Sequence, residues 1–201
     1  MLAAGFMFTV SCGGGQPAPL VVAPEIHAST AATTSAAPEQ IAPAAAPGKP
    51  MLPLAPTQFT SELRELGITA TTVPDWQALG PALKKKLMPL FKKSLGFEKC
   101  SGCHKSDVGI ITHNMKVAKQ MWQHFVVPLR QTDGSLVFCD SCHNGSMNIL
   151  ERSNPEALSA FMKAEYAHKV TRLDKSPHAC KTCHGEPFEG DIIAKSWGIE
   201  D

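Results

Sequence analysis

Three stretches of the chain space their apolar side chains as helices do. In residues 82–95 (ALKKKLMPLFKKSL), Leu83, Leu87, Met88, Leu90, Phe91 and Leu95 alternate with lysines. Pro89 has no N–H to donate, so it is expected to kink this helix or to start a second one. A second helix is predicted from about Asn114 to Val127, with Thr112 as a cap. Its Ala118, Met121, Trp122, Phe125 and Val126 fall on one face at a period of 3.6, and Pro128 ends it. A third begins at Asn154-Pro155-Glu156, which supplies a capping Asn, a Pro at the first helical position and an acid in the first turn. Leu158, Phe161, Met162 and Tyr166 follow. No alternating strand pattern stands out, and Asp133-Gly134 predicts a turn. The fold class expected is mainly α, with little regular sheet.

The N-terminal part is of a different composition. Leu2 to Val10 are apolar and are followed by Ser11, Cys12 and three glycines, as at the end of a secretory signal. Thr9-Val10-Ser11-Cys12 resembles a bacterial lipoprotein box, although Thr9 stands where Leu is usual. Cleavage there would leave Cys12 as a lipidated N-terminus. Residues 16–58 contain 12 Ala and 9 Pro, and only Glu25, Glu39 and Lys49 are charged. So much proline prevents helices, and few large apolar groups offset the entropy of ordering. The expected organisation is a leader over 1–11, a disordered Ala/Pro-rich tether over 12–58 and a folded domain over 59–201. Nowhere does the chain run to 18 apolar residues, so no helical membrane span is predicted.

The second and third helices belong to an internal repeat. A shift of 41 residues aligns Met121 with Met162, Phe125 with Tyr166, and Cys139-Asp-Ser-Cys142-His143 with Cys180-Lys-Thr-Cys183-His184. A weaker copy precedes them, with Met88 followed by Cys100-Ser-Gly-Cys103-His104. Each unit is a helix, a loop and a CxxCH string, and such repeats imply a modular fold.

CxxCH is the signature of c-type heme attachment. Its two thiols add to the two vinyl groups of the porphyrin, and the adjacent histidine ligates iron from the proximal side. The three strings therefore predict three covalently bound hemes c, held by Cys100 and Cys103, Cys139 and Cys142, and Cys180 and Cys183. His104, His143 and His184 are the proximal ligands. Zinc held by CxxC pairs would not explain a histidine directly after all three. A disulfide framework fits poorly, since such closely spaced pairs make weak staples. Lys plus Arg number 19 and Asp plus Glu 18, a near-balance that argues against a nucleic-acid partner held by phosphate neutralisation. Lys84, Lys85, Lys86, Lys92 and Lys93 form a basic strip on the first helix.

The segment Met88-Pro-Leu-Phe-Lys-Lys-Ser-Leu-Gly-Phe-Glu-Lys-Cys100 resembles the methionine helix, turn and CxxCH of the multiheme cytochrome subunit of photosynthetic reaction centres and its relatives. So does Lys116-Val-Ala-Lys-Gln-Met121 followed by Phe125, Pro128-Leu129 and Cys139-Asp-Ser-Cys142-His143-Asn144-Gly145. The resemblance covers about residues 84–145, with a looser echo over 155–186. It implies a multiheme cytochrome c domain in which Met88, Met121 and Met162 are distal ligands, and a lipid anchor at Cys12. Two features depart from that family: three hemes rather than the usual four, and His124 one helical turn beyond Met121, where it could compete for the same iron. His113, His124, His168 and His178 are the alternative distal ligands.

The function expected is that of an exported, membrane-tethered electron carrier between a redox donor and acceptor, with no catalysis of its own. It would lie on the periplasmic side of a bacterial membrane, the outer one favoured, and could serve as a subunit of a larger membrane complex. A small multiheme reductase with an open coordination position is the alternative.

Overall fold

The computed structural model describes residues 51–105 and 109–200. The leader, Cys12 and the tether up to residue 50 lie outside the described residues.

The described chain is mainly helical. Helix α1 spans Thr60–Glu65 and α2 spans Pro81–Ser94. The first CxxCH forms a tight 3-10 turn, Cys100–Gly102. Helix α3, His113–Met121, passes into a wider π turn, Trp122–Val126, and then into strand β1, Leu129–Gln131. The second CxxCH is itself a one-turn helix, α4, Cys139–His143. Helix α5, Pro155–Met162, its π turn Lys163–Ala167, strand β2, Val170–Arg172, and helix α6, Cys180–His184, repeat that order. A last π turn covers Ile192–Ser196.

Local chemistry sets the predicted ends. The Thr112 side chain accepts from the Met115 N–H, and the Asn154 side chain from the Ala157 N–H, each satisfying a donor at a helix start. Gly134 has φ +84°, its N–H donates to the Gln131 carbonyl, and the Ser135 N–H donates to Asp133, so the expected turn forms. Pro89 does not split α2. It lies on an exposed face above Lys85, also exposed, where water can reach the carbonyl that Pro89 leaves without a donor.

Strands β1 and β2 pair antiparallel, Leu129 with Arg172, Arg130 with Thr171 and Gln131 with Val170. The ladder extends on both sides, with Leu173 N–H donating to the Pro128 carbonyl and Thr132 N–H to the Lys169 carbonyl. Under the 41-residue shift Arg130 is the counterpart of Thr171. Pairing of counterparts means that the two units meet head to head, about a local two-fold.

The main core gathers around α1, α2 and the π turn after α3. Phe59, Leu63, Ile68, Leu79, Leu87, Leu90, Phe91, Trp122, Val126, Leu136 and Phe138 form one buried cluster. Phe91 stacks on Phe138 at 5.7 Å, and Trp122 meets both edge-on. Trp122 Nε1 donates to the Pro74 carbonyl, so its polar end is satisfied. Two lysines of the basic strip lie on this cluster's rings, Lys84 over Trp76 and Lys93 over Phe59.

The folded part begins earlier than residue 59. Leu54 N–H donates to Glu165, Ala55 N–H to the Ser141 carbonyl, Thr57 Oγ1 and Gln58 N–H to the Asp140 carboxylate, and Gln131 Nε2 to the Ala55 carbonyl. Residues 51–58 thus lace both repeat units together.

Candidate functional site at the three CxxCH motifs

The second motif is the most firmly built. Asp140, inside the motif, is buried and accepts from Thr57 Oγ1 at 2.7 Å and Gln58 N–H at 2.8 Å. Ser141 Oγ accepts from the Phe138 N–H, capping α4. Behind it, Gly145 N–H donates to the Ser94 carbonyl at the end of α2. Gly96, at φ +72°, passes so close that a side-chain carbon there would stand 2.0 Å from the Gly145 carbonyl oxygen. The third motif is held by α6 and the π turn after it, while the first sits on its own turn with Cys100 exposed.

The motif histidines are oriented by main-chain carbonyls. His143 Nδ1 lies 2.9 Å from the Ser146 carbonyl, and His184 Nδ1 lies 2.8 Å from the Glu189 carbonyl. A carbonyl only accepts, so the proton is on Nδ1 and the lone pair on Nε2. Histidines that ligate metals are commonly fixed in this way. Burial holds the His143 ring below its ordinary pKa, partly offset by its carbonyl bond, so it is neutral at pH 7. Among the described residues the buried Nδ1 of His104 has no partner.

None of the six motif cysteines is in a disulfide. Burial raises the thiols of Cys103, Cys139 and Cys183 above their ordinary range and pushes Cys142 up to about 11. At neutral pH these four are protonated thiols. Among the described residues no group of three His, Cys, Asp or Glu side chains is placed to hold a metal ion.

The helices beside the motifs carry apolar side chains that protein does not cover. Helices α3, α5 and α6 bury no residue. Met121, Leu158, Phe161 and Met162 are only half-buried. Large apolar side chains are exposed near each motif: Ile110 and Ile111 after the first, Met147 after the second and Phe188 after the third. Met147 and Phe188 are counterparts in the repeat, each four residues past its histidine, and Phe188 stacks on His184 at 4.5 Å.

Two cavities open at the motifs. The first, about 410 Å³, is lined by Cys103, His104, Ile111 and His113 among others. The second, about 210 Å³, lies at the third motif and is lined by Cys183, Arg172, Trp197, Phe125 and His124. This relocates His124, which the sequence sets beside Met121 and hence near the second motif. The ring stacks on Trp197 at 5.4 Å, and burial, then the charge of Arg172, lowers its pKa. The exchange runs both ways: Tyr166, the counterpart of Phe125, hydrogen-bonds through its hydroxyl to Cys142 of the second motif. Each unit's π turn therefore reaches the other unit's CxxCH.

The remaining candidates are placed as follows. Met88 packs against the main core. Met121 and Met162 end the α-helical parts of their repeats, at matching positions. His168 and His178 are exposed, and neither lines the two cavities. Arg172, a residue that sequence reasoning missed, donates to Cys183 Sγ at 3.9 Å and pairs with Asp174. Its signal is present only in the paired strands, which bring β2 back over the third motif.

Comparison of the chain with family models, curated proteins and solved structures finds no match.

Proposed function

We propose that this chain is a triheme c-type cytochrome that carries electrons between redox partners. One observation carries the reading: three CxxCH strings, of which two hold the histidine's Nδ1 proton on a main-chain carbonyl and so present Nε2 to a metal. The uncovered apolar faces of α3 and α5 support it, because a large flat apolar group at each motif would cover them. Heme c, when bound, supplies one-electron chemistry at iron, with the potential set by axial ligand, burial and nearby hydrogen bonds.

The protein's part is to attach, orient and enclose. Cys100, Cys103, Cys139, Cys142, Cys180 and Cys183 would form the thioethers, and His104, His143 and His184 would hold iron. The resemblance assigns Met121 to the second site. At the third, His124 lines the cavity while Met162 does not, which favours the histidine. Arg172 and Lys181 are the cations at that cavity, suited to propionate groups. A distal side chain at each site would leave no position open for a substrate, which favours a carrier over a reductase. Lipidation at Cys12 would hold the domain at a membrane on the periplasmic side, within reach of a membrane-bound partner.

The test is the intact mass of the exported protein after acid-acetone extraction. Three retained heme additions are expected, and fewer would remove at least one motif from the assignment. Cys12→Ala should release the protein from membranes with its hemes intact.

A further inference from the structure

We propose that His113 is the distal axial ligand of the iron at the first motif, opposite His104. The inference rests on the heme reading above and departs from Met88, the ligand that resemblance assigns to this site.

Three observations support His113. It lines the same cavity as His104 and Cys103. Its two neighbours fasten the start of α3 to the motif's own backbone: Thr112 Oγ1 donates to the Cys103 carbonyl, and Asn114 Nδ2 donates to the Gly102 carbonyl at 2.7 Å. His113 is thus fixed on both sides to the turn that carries the attachment cysteines. Its ring is also held, with Nδ1 at 3.2 Å from the Glu200 carbonyl. A main-chain carbonyl likewise orients Nδ1 at His143 and His184, the histidines of the two other motifs.

Met88 lies on α2, half-buried, among the side chains packed against the main core. A thioether there serves as apolar filler. Bis-histidine ligation lowers the potential relative to Met/His ligation, so the first heme, like the third with His124, would lie below the second.

The experiment uses the full-length holoprotein and His113→Ala, His113→Met and Met88→Leu. Intact mass counts the hemes, low-temperature spectroscopy of the ferric state reports spin and ligand type, and a redox titration gives the potentials. In His113→Ala, one heme's share of the signal should turn high-spin with three hemes still attached. In His113→Met that share should return to low-spin with added thioether-to-iron absorption and a raised potential. Met88→Leu should leave the ferric spectrum unchanged. A His113→Ala protein that stays wholly low-spin with its spectrum unchanged would overturn the assignment, as would loss of thioether absorption in Met88→Leu. If neither His113 variant folds, the Met88→Leu spectrum decides alone. A wild-type chain without covalent heme would instead refute the heme reading itself.

Discussion

Arg130 and Thr171 hold the same position in the two repeat units and face each other across the β1–β2 ladder, yet only one of them is buried. The Arg130 guanidinium is enclosed by main-chain carbonyls of Ala70, Val126, Val127 and Leu129. Burial lowers its pKa, although not enough to discharge an arginine at neutral pH. A cation at the end of the π turn also faces the negative end of the α3 dipole. The two units therefore share a backbone plan, while Arg130 ties β1 to the Ala70 loop through a buried side chain that Thr171 does not match.

That asymmetry predicts unequal substitutions. Arg130→Met keeps much of the volume but leaves four carbonyls without their donor, and should cost at least about 1.5–3 kcal/mol. Thr171→Ala, at an exposed position, should stay within about 0.5 kcal/mol of wild type. Urea unfolding of the two variants measures both. Equal losses would mean that the ladder, and not the guanidinium, holds the strands.

The approach of Gly96 to Gly145 predicts a second contrast. Gly67 and Gly96 both have positive φ, +76° and +72°, so alanine at either incurs about 1–2 kcal/mol of left-handed strain. At Gly67 nothing lies within 4 Å of the added carbon. At Gly96 the carbon would strike the Gly145 carbonyl and push the end of α2 from the second motif. Gly96→Ala should therefore lose well over the Gly67→Ala value in denaturant unfolding. Similar losses would mean that the two loops separate freely.

The helices and the motifs were legible in the sequence because their signals are local. Thr112 and Asn154 cap as their types suggest, and the 41-residue shift reproduces α3, β1 and α4 in α5, β2 and α6. Strands of three residues are too short to show alternation, so β1 and β2 gave no pattern to read. Residues 51–58 read as tether because of their prolines, since their partners Asp140, Ser141 and Glu165 lie over 80 residues away. Helix α1 offers only Leu63 as a buried position and has no side-chain cap. The placement of His124 at the third motif depends on how the units meet, which sequence spacing does not encode.

Glu165 gives the fold an acid-sensitive tie. Burial works against its charge, but the Lys169 ammonium at 2.8 Å and the Leu54 N–H at 2.7 Å outweigh it, so its pKa is lowered. A carboxylate whose folded pKa lies below its unfolded value of about 4.3 contributes stability above that value. The contribution is lost as pH falls through the folded pKa. Asp174, held low by Arg172, acts in the same direction. Wild-type stability should thus decline below about pH 4, and Glu165→Gln should be less stable at pH 7 but lose less on acidification. Parallel pH profiles for the two proteins would remove Glu165 from the acid response.

Met121 and Met162 are counterparts that should respond differently to the same change. Each is half-buried at the end of an α-helix that buries no residue, so leucine keeps most of the packing and should cost under about 1.5 kcal/mol at either position. The electronic effect separates them. On the triheme reading, the third motif has His124 of the π turn in its cavity, stacked on Trp197, whereas the resemblance gives the second motif Met121. Met121→Leu should therefore abolish one heme's thioether-to-iron absorption and lower or destabilise that heme's potential. Met162→Leu should leave the ferric spectrum as it is, and His124→Leu should turn one heme high-spin. Loss of thioether absorption in Met162→Leu, with His124→Leu silent, would restore the symmetric pair of methionine ligands that the repeat suggests.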